Sequence, residues 1–412
     1  MSKLSLSKEK IKVVLLEGVH PLAEQTFKKD GYNTIHYLKG TPDKSELKEL
    51  LSDAHILGIR SRTQVTQEIL DACNKLMAIG TFCIGTNQID LEYARNQGIP
   101  VFNAPFSNTR SVAELVLAEI IFLMRGIPQK NAAAHRGQWQ KTASHSFEIR
   151  GKKLGIVGFG HIGSQLGVIA ESLGMKVYFY DIENKLPMGN AKNTASLNEL
   201  LAKVDVLSLH VPSTPSTKNM IGKAQLDKMR DGSYLINAAR GDVVIIEDLI
   251  QALDSGKIIG AALDVFPQEP ASNNDPFVSQ LKDYDQVIIT PHIGGSTLEA
   301  QVNIANEVAH KLLKYSNNGT TSSAVNFPQV SLPELCQKQS RIMHIHENKP
   351  GMLEQVNHVF SKHGMNITAL HLQTAGEIGY VIMDVESGKI EDLKKELKAI
   401  NGTLRVRVLH GY

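Results

Sequence analysis

Lys153-Leu-Gly-Ile-Val-Gly158-Phe-Gly160-His161-Ile162-Gly163 joins an apolar strand pattern, Lys153–Val157, to a helical pattern, Ile162–Leu173. A G-x-G-x-x-G run in that position has a physical reading. The first glycine permits a tight turn, and the second lets backbone N–H groups approach a pyrophosphate. The third lets helix and strand pack closely, and the helix N-terminus adds partial positive charge. Asp181 ends the next strand pattern, 18 residues after Gly163. A carboxylate there accepts hydrogen bonds from ribose hydroxyls and repels a 2′-phosphate, so the sequence predicts NAD as cofactor in preference to NADP.

Outward from this run, strand patterns at 153–158, 176–180, 204–209, 233–237, 259–263 and 286–290 alternate with helical stretches, the signature of a doubly wound, Rossmann-type domain. Upstream, Lys12–Leu16, Ile56–Ile59, Leu76–Ile79 and Pro100–Phe102 read as buried parallel strands, with an amphipathic stretch at Ser45–Ser52. Ser111–Arg125 is apolar nearly all round and reads as a buried helix, and Thr297–Tyr315 as a long helix returning toward the first lobe. Polar residues and prolines between Asn317 and Gln339 mark a linker. Beyond it the order strand, helix, strand, strand, helix, strand (341–347, 351–363, 366–374, 378–386, 391–400, 403–409) is a ferredoxin-like βαββαβ unit.

The chain has 412 residues, which suggests several domains. Its 44 Lys and Arg nearly balance 42 Asp and Glu, and no basic run stands out, so no nucleic-acid partner is expected. Three cysteines, Cys73, Cys83 and Cys336, form no CxxC pair, and no histidine cluster has zinc spacing. Neither a disulfide framework nor a metal is expected, and a reducing cytoplasm fits. The longest greasy stretch, Leu115–Met124, carries Glu119 and is too short for a bilayer, so no membrane anchoring is expected.

Three later strand patterns end in chemistry-bearing residues: Asn237-Ala-Ala-Arg240, Asp264-Val-Phe-Pro-Gln-Glu269 and Thr290-Pro-His292. In an open α/β sheet such ends converge on the ligand crevice. Hydride removal from an alcohol carbon needs a base for the hydroxyl proton, which His292 can supply. Glu269 can fix the ring's tautomer, and Arg240 can grip a substrate carboxylate with two parallel bonds.

Taken together, Ile59-Arg-Ser-Arg-Thr63, Cys83-Ile-Gly-Thr-Asn87, Phe102–Glu114, Gly158–Gly163, Asn237–Gly241, Asp264–Pro270 and Thr290–Ser296 resemble the D-isomer-specific 2-hydroxy acid dehydrogenases, in particular the branch that oxidises D-3-phosphoglycerate and carries a C-terminal ACT domain. The resemblance implies a discontinuous, flavodoxin-like α/β substrate domain (1–107 with 296–335, the latter including the linker), an NAD-binding domain (108–295) and an ACT regulatory domain (336–412). It implies cofactor contacts from Gly158, Gly160, His161, Ile162, Gly163, Asp181, Ala238, Asp264, Gly294 and Gly295. For the substrate it implies Arg60, Ser61, Arg62 and Asn108, with Lys141 adding charge. For L-serine as effector it implies His346, Asn348 and Asn366 at a domain–domain interface of a homo-oligomer, a tetramer. Where that pattern has a Gly-Gly hinge, this chain has Glu334-Leu-Cys-Gln-Lys-Gln-Ser340, with less backbone freedom. Two other readings stay open: a different D-2-hydroxy acid as substrate, and an NAD-sensing corepressor-like protein without catalysis.

Overall fold

The computed structural model describes residues 6–270, 274–386 and 390–411. The chain divides into two compact units, Met1–Ser107 with Val302–Tyr412, and Asn108–Gln301.

The first unit contains a parallel sheet of β1 (Val13–Leu15), β2 (Ile35–Tyr37), β3 (Ile56–Ile59), β4 (Ala78–Thr81) and β5 (Val101–Phe102), in the order β2-β1-β3-β4-β5. That is the flavodoxin-like order, whose switch point lies between β1 and β3. Two strands differ from the sequence reading. The edge strand β2, Ile-His-Tyr, is half exposed and lacks the apolar run that marks its neighbours. The strand read at Leu76–Ile79 starts two residues later, because the ladder pairs Ala78 with Ile56 and runs to Thr81 opposite Ile59. The helix Leu298–Asn318 packs on β4 through Gly80, where a Cβ would approach Val308 and Leu312 to 2.7 Å.

In the second unit all strands are parallel: β6 (Lys153–Val157), β7 (Lys176–Tyr180), β8 (Lys192–Asn193), β9 (Val206–Leu209), β10 (Ser233–Asn237), β11 (Ile258–Leu263) and β12 (Val287–Ile289). Their order, β12-β11-β10-β9-β6-β7-β8, places the switch point between β6 and β9, beside the glycine run. The two-residue edge strand β8, exposed and polar, left no apolar signal in the sequence. Thr109–Met124 is the expected buried helix. It packs Val112, Val116, Ile120 and Leu123 into the apolar core beneath this sheet.

The C-terminal residues of the first unit form an antiparallel sheet of β13 (Gln339–Glu347), β14 (Ile367–Ala375), β15 (Ile378–Glu386) and β16 (Thr403–His410), ordered β14-β15-β13-β16, with helices Met352–Lys362 and Ile390–Ala399. This is the ferredoxin-like arrangement. The polar stretch read as a linker is held firmly. Thr321 and Val330 exchange hydrogen bonds, Val330 N–H to Thr321 Oγ1 at 3.0 Å and Thr321 N–H to Val330 O at 2.9 Å. Arg341, fully buried, forks onto Asp384 with two 2.7 Å bonds and donates through Nη1 to the carbonyls of Asn318 and Pro333. Its donors are therefore divided between one carboxylate and the segment that follows the long helix. No helix among the described residues is long and apolar enough to cross a membrane.

Candidate active site

In the second unit Gly158 has φ +89°, and a Cβ there would meet His210 O at 2.4 Å, so only glycine makes this turn. Gly163 lies so close to Gly158 O that a Cβ would stand 2.2 Å away. Nothing lies within 4 Å of the Cβ position of Gly160, the residue that caps helix His161–Ser172. Open space before a helix N-terminus, with both neighbouring glycines packed tight, suits a pyrophosphate. Asp181 braces the turn: Phe159 N–H donates to Oδ2 at 2.8 Å and Glu183 N–H to Oδ1 at 2.9 Å. A carboxylate has about four acceptor positions, so capacity for ribose hydroxyls remains. These residues fit NAD.

At the end of β10, the Asn237 amide bonds Arg240 O at 2.9 Å and accepts from Ala239 N–H at 3.1 Å, fixing the loop that carries Arg240. The Arg240 guanidinium donates to Ala239 O at 2.6 Å and has no carboxylate partner among the described residues. Gly241 is required for a reason the sequence did not signal: a Cβ there would lie 2.0 Å from the backbone of Phe266. The Arg240 loop and the loop carrying Glu269 thus touch backbone to backbone.

His292 Nδ1 and Glu269 Oε2 are 2.7 Å apart, and Phe266 N–H donates to Glu269 Oε1 at 3.1 Å. The histidine is held above its ordinary pKa, chiefly by this hydrogen bond, with burial opposing and the charge of Asp264 adding. Burial acts to raise Glu269, but the bonds from His292 and Phe266 N–H outweigh it and hold the carboxyl below its usual value. With Nδ1 engaged, Nε2 is the nitrogen left to exchange a proton, and the imidazole is 52 % exposed.

His292 sits at φ +52°, unusual for a residue with a side chain. Asp264, 2 % exposed, holds that turn. It accepts from Thr290 Oγ1 at 2.6 Å, Ile293 N–H at 2.8 Å and Gly294 N–H at 2.7 Å. The sequence assigns Asp264 to the cofactor and gives Thr290 no role beyond opening the His292 motif; the structure gives both a part in orienting the base. Ala238 lies half-buried on the Arg240 loop, and Gly294 and Gly295 belong to the same turn as His292. Gly295 admits the buried Asn108 side chain, whose Nδ2 would be 2.3 Å from a Cβ there. Lys141 lies on an exposed segment after the helix Ile127–His135.

In the first unit Arg60, Ser61 and Arg62 follow β3 at that sheet's switch point. Glu17, 2 % exposed and absent from the sequence reading, pins this loop by accepting from Arg62 N–H at 3.0 Å and Thr63 N–H at 2.8 Å. In the C-terminal sheet His346 is 4 % exposed, with Nδ1 3.1 Å from His344 Nδ1 and its ring over Gly379. Asn348 does not cap the following helix; its amide donates to Gly376 O at 3.1 Å. Asn366, just before β14, is exposed.

Residues 117–294 match the family model described as D-isomer specific 2-hydroxyacid dehydrogenase, NAD binding domain, and residues 342–405 match an AHAS small subunit-like ACT domain. The chain is 59% identical over 409 residues, 99% of its length, to the whole of a D-3-phosphoglycerate dehydrogenase from Haemophilus influenzae. It is 45% identical to D-3-phosphoglycerate dehydrogenase 1 of Saccharomyces cerevisiae, covering 97% of this chain and 88% of the yeast protein. Among solved structures, the D-lactate dehydrogenase of Aquifex aeolicus complexed with NAD and lactic acid is 29% identical with a TM-score of 0.67, covering 77% of this chain and 100% of the other.

Proposed function

The chain belongs to the D-3-phosphoglycerate dehydrogenases, a branch of the D-isomer specific 2-hydroxyacid dehydrogenases, and from that premise we propose that it oxidises D-3-phosphoglycerate to 3-phosphohydroxypyruvate through Arg240, Glu269 and His292. NAD is the cofactor, and this step opens serine biosynthesis.

The observation that carries the residue roles is the 2.7 Å His292–Glu269 contact beside an Arg240 without an acidic partner. Arg240 binds the substrate carboxylate and polarises the carbonyl as it forms. His292 Nε2 takes the hydroxyl proton, and NAD, when bound, would supply the acceptor for the hydride on the same carbon. Glu269 stabilises the resulting imidazolium, and Asp264 keeps the ring in place. Gly158, Gly160, His161, Ile162, Gly163, Asp181, Ala238, Gly294 and Gly295 would hold the cofactor. Arg60, Ser61, Arg62, Asn108 and Lys141 would hold the phosphorylated substrate, two guanidinium groups suiting a phosphate dianion.

The regulatory part of the proposal is that L-serine binds through His346, Asn348 and Asn366 in a cytoplasmic tetramer, within the three-domain division given above. The burial of His346 means that its contribution requires a neighbouring surface or a shift of its ring. The test of the catalytic assignment is His292→Ala. Turnover should fall by about 10²–10⁴-fold while NAD binding measured by calorimetry is retained. Near-normal kcat in this variant would remove His292 from the mechanism.

A further inference from the structure

The first unit contains a groove of about 1470 Å³ between the β16 edge of the C-terminal sheet, the helix Leu298–Asn318 and the segment around His55 and Lys75. Ligand pockets run to roughly 300–1,000 Å³, so the groove has room for a metabolite. Eight Lys or Arg side chains line it against two carboxylates, Asp30 and Glu334. Asp30 is already paired with Lys8 at 2.8 Å. The cations come from four distant parts of the chain, which is why no basic run shows in a sequence of near-zero net charge.

Arg405 and Arg407 alternate along β16 and so share one face of the strand. Both are positioned by neutral groups. Arg405 donates to Leu76 O, while Arg407 donates to Ser316 O at 3.2 Å and stacks on the Tyr315 ring with 4.9 Å to its centroid. Lys394 and Lys398, one helical turn apart, have no acidic partner within 4.0 Å among the described residues, and neither do Arg405 and Arg407. Like charges at that spacing repel. Lys394 is held below its ordinary pKa by burial and by the charges of Lys398 and Arg407, which outweigh that of Glu391; His410 is lowered by burial and then by Lys394. A groove that gathers eight cations against two carboxylates, one of them already paired with Lys8, concentrates anions, and guanidinium groups held by carbonyls are oriented before a ligand arrives.

We propose that this groove is an anion site for a small molecule carrying two or more phosphate groups, bridging the C-terminal sheet to the first sheet. Arg60 and Arg62 do not line it, so it is separate from the substrate phosphate position.

Calorimetry of the full chain saturated with NAD, which fills the pyrophosphate position at Gly158–Gly163, tests this with inorganic pyrophosphate, using Arg60→Gln/Arg62→Gln as background to silence the substrate phosphate position. Pyrophosphate should bind that background and raise its melting temperature. Adding Lys394→Gln/Lys398→Gln, two partly or fully exposed side chains, should weaken binding about tenfold, as expected for two lost charge contacts of roughly 0.7 kcal/mol each. In the otherwise native chain these two substitutions should leave NAD-dependent turnover unchanged when no pyrophosphate is added. A parallel titration with ADP identifies the source: tighter ADP binding marks a nucleotide site, tighter pyrophosphate binding a site for the free anion, and either result sensitive to Lys394 and Lys398 supports the proposal. No heat from either ligand on the background, or equal affinity with and without the lysines, would overturn it.

Discussion

Glu119 lies inside the apolar helix Thr109–Met124, 3 % exposed, and neither carboxyl oxygen has a hydrogen-bond partner among the described residues. Burial, with the nearby charge of Asp264, pushes its pKa up from 4.5 to about 8. Below about pH 4.5 the carboxyl is neutral in both folded and unfolded chains, and no penalty exists. As pH rises the unfolded chain ionises while the folded one does not, so stability falls by about 1.4 kcal/mol per unit. The loss levels off above the folded pKa, at roughly 4–5 kcal/mol. Glu119→Gln keeps the shape and removes the ionisation. In urea unfolding at about pH 5, 7 and 9, the variant should gain on the wild type by that slope and then plateau. A difference that stays constant across this range would show that Glu119 is ionised in the folded protein, and the reasoning from burial would fail.

Glu269→Gln removes the charge that raises His292, so the acid limb of the oxidation rate, which requires neutral imidazole, should move to lower pH; an unmoved limb would separate the two residues. Gly241→Ala must push Phe266 away, and should lower kcat at least as much as it destabilises the fold; unchanged kinetics would show the loop contact to be dispensable. Removing the Asp384 carboxylate with Asp384→Asn leaves Arg341 buried without its counter-charge, at a cost of about 3–5 kcal/mol. Equilibrium unfolding checks this, and a loss under about 1 kcal/mol would refute it.

Much of this architecture was legible because its strands are short apolar runs separated by helical periods, and because glycine spacing has a steric meaning. Gly158 and Gly163 occupy positions where a Cβ would strike backbone, which is the constraint the spacing encodes. Strands β2 and β8 escaped because edge strands bury too little to leave an apolar pattern. Residues that act through another residue were also hidden. Glu17 lies in no motif and Thr290 only opens the one that carries His292, and their roles exist only once β1 meets β3 and β11 meets β12. Glu119 was visible as a charge that argued against a membrane span, but its isolation from any partner required the packed helix. The cationic groove was invisible for the same reason: Lys75, Lys314, Lys394 and Arg405 are neighbours only in three dimensions.

This site is proposed to dehydrogenate a phosphorylated D-2-hydroxy acid. Initial rates of NAD reduction with D-3-phosphoglycerate, D-glycerate and D-lactate, compared between wild type and Arg60→Gln, test it most directly. In the wild type kcat/KM should favour D-3-phosphoglycerate by at least about a hundredfold, roughly the worth of two charge-assisted contacts, and Arg60→Gln should erode this preference while leaving D-glycerate little affected. Equal kcat/KM for the three acids, or equal loss for all of them in the variant, would contradict it.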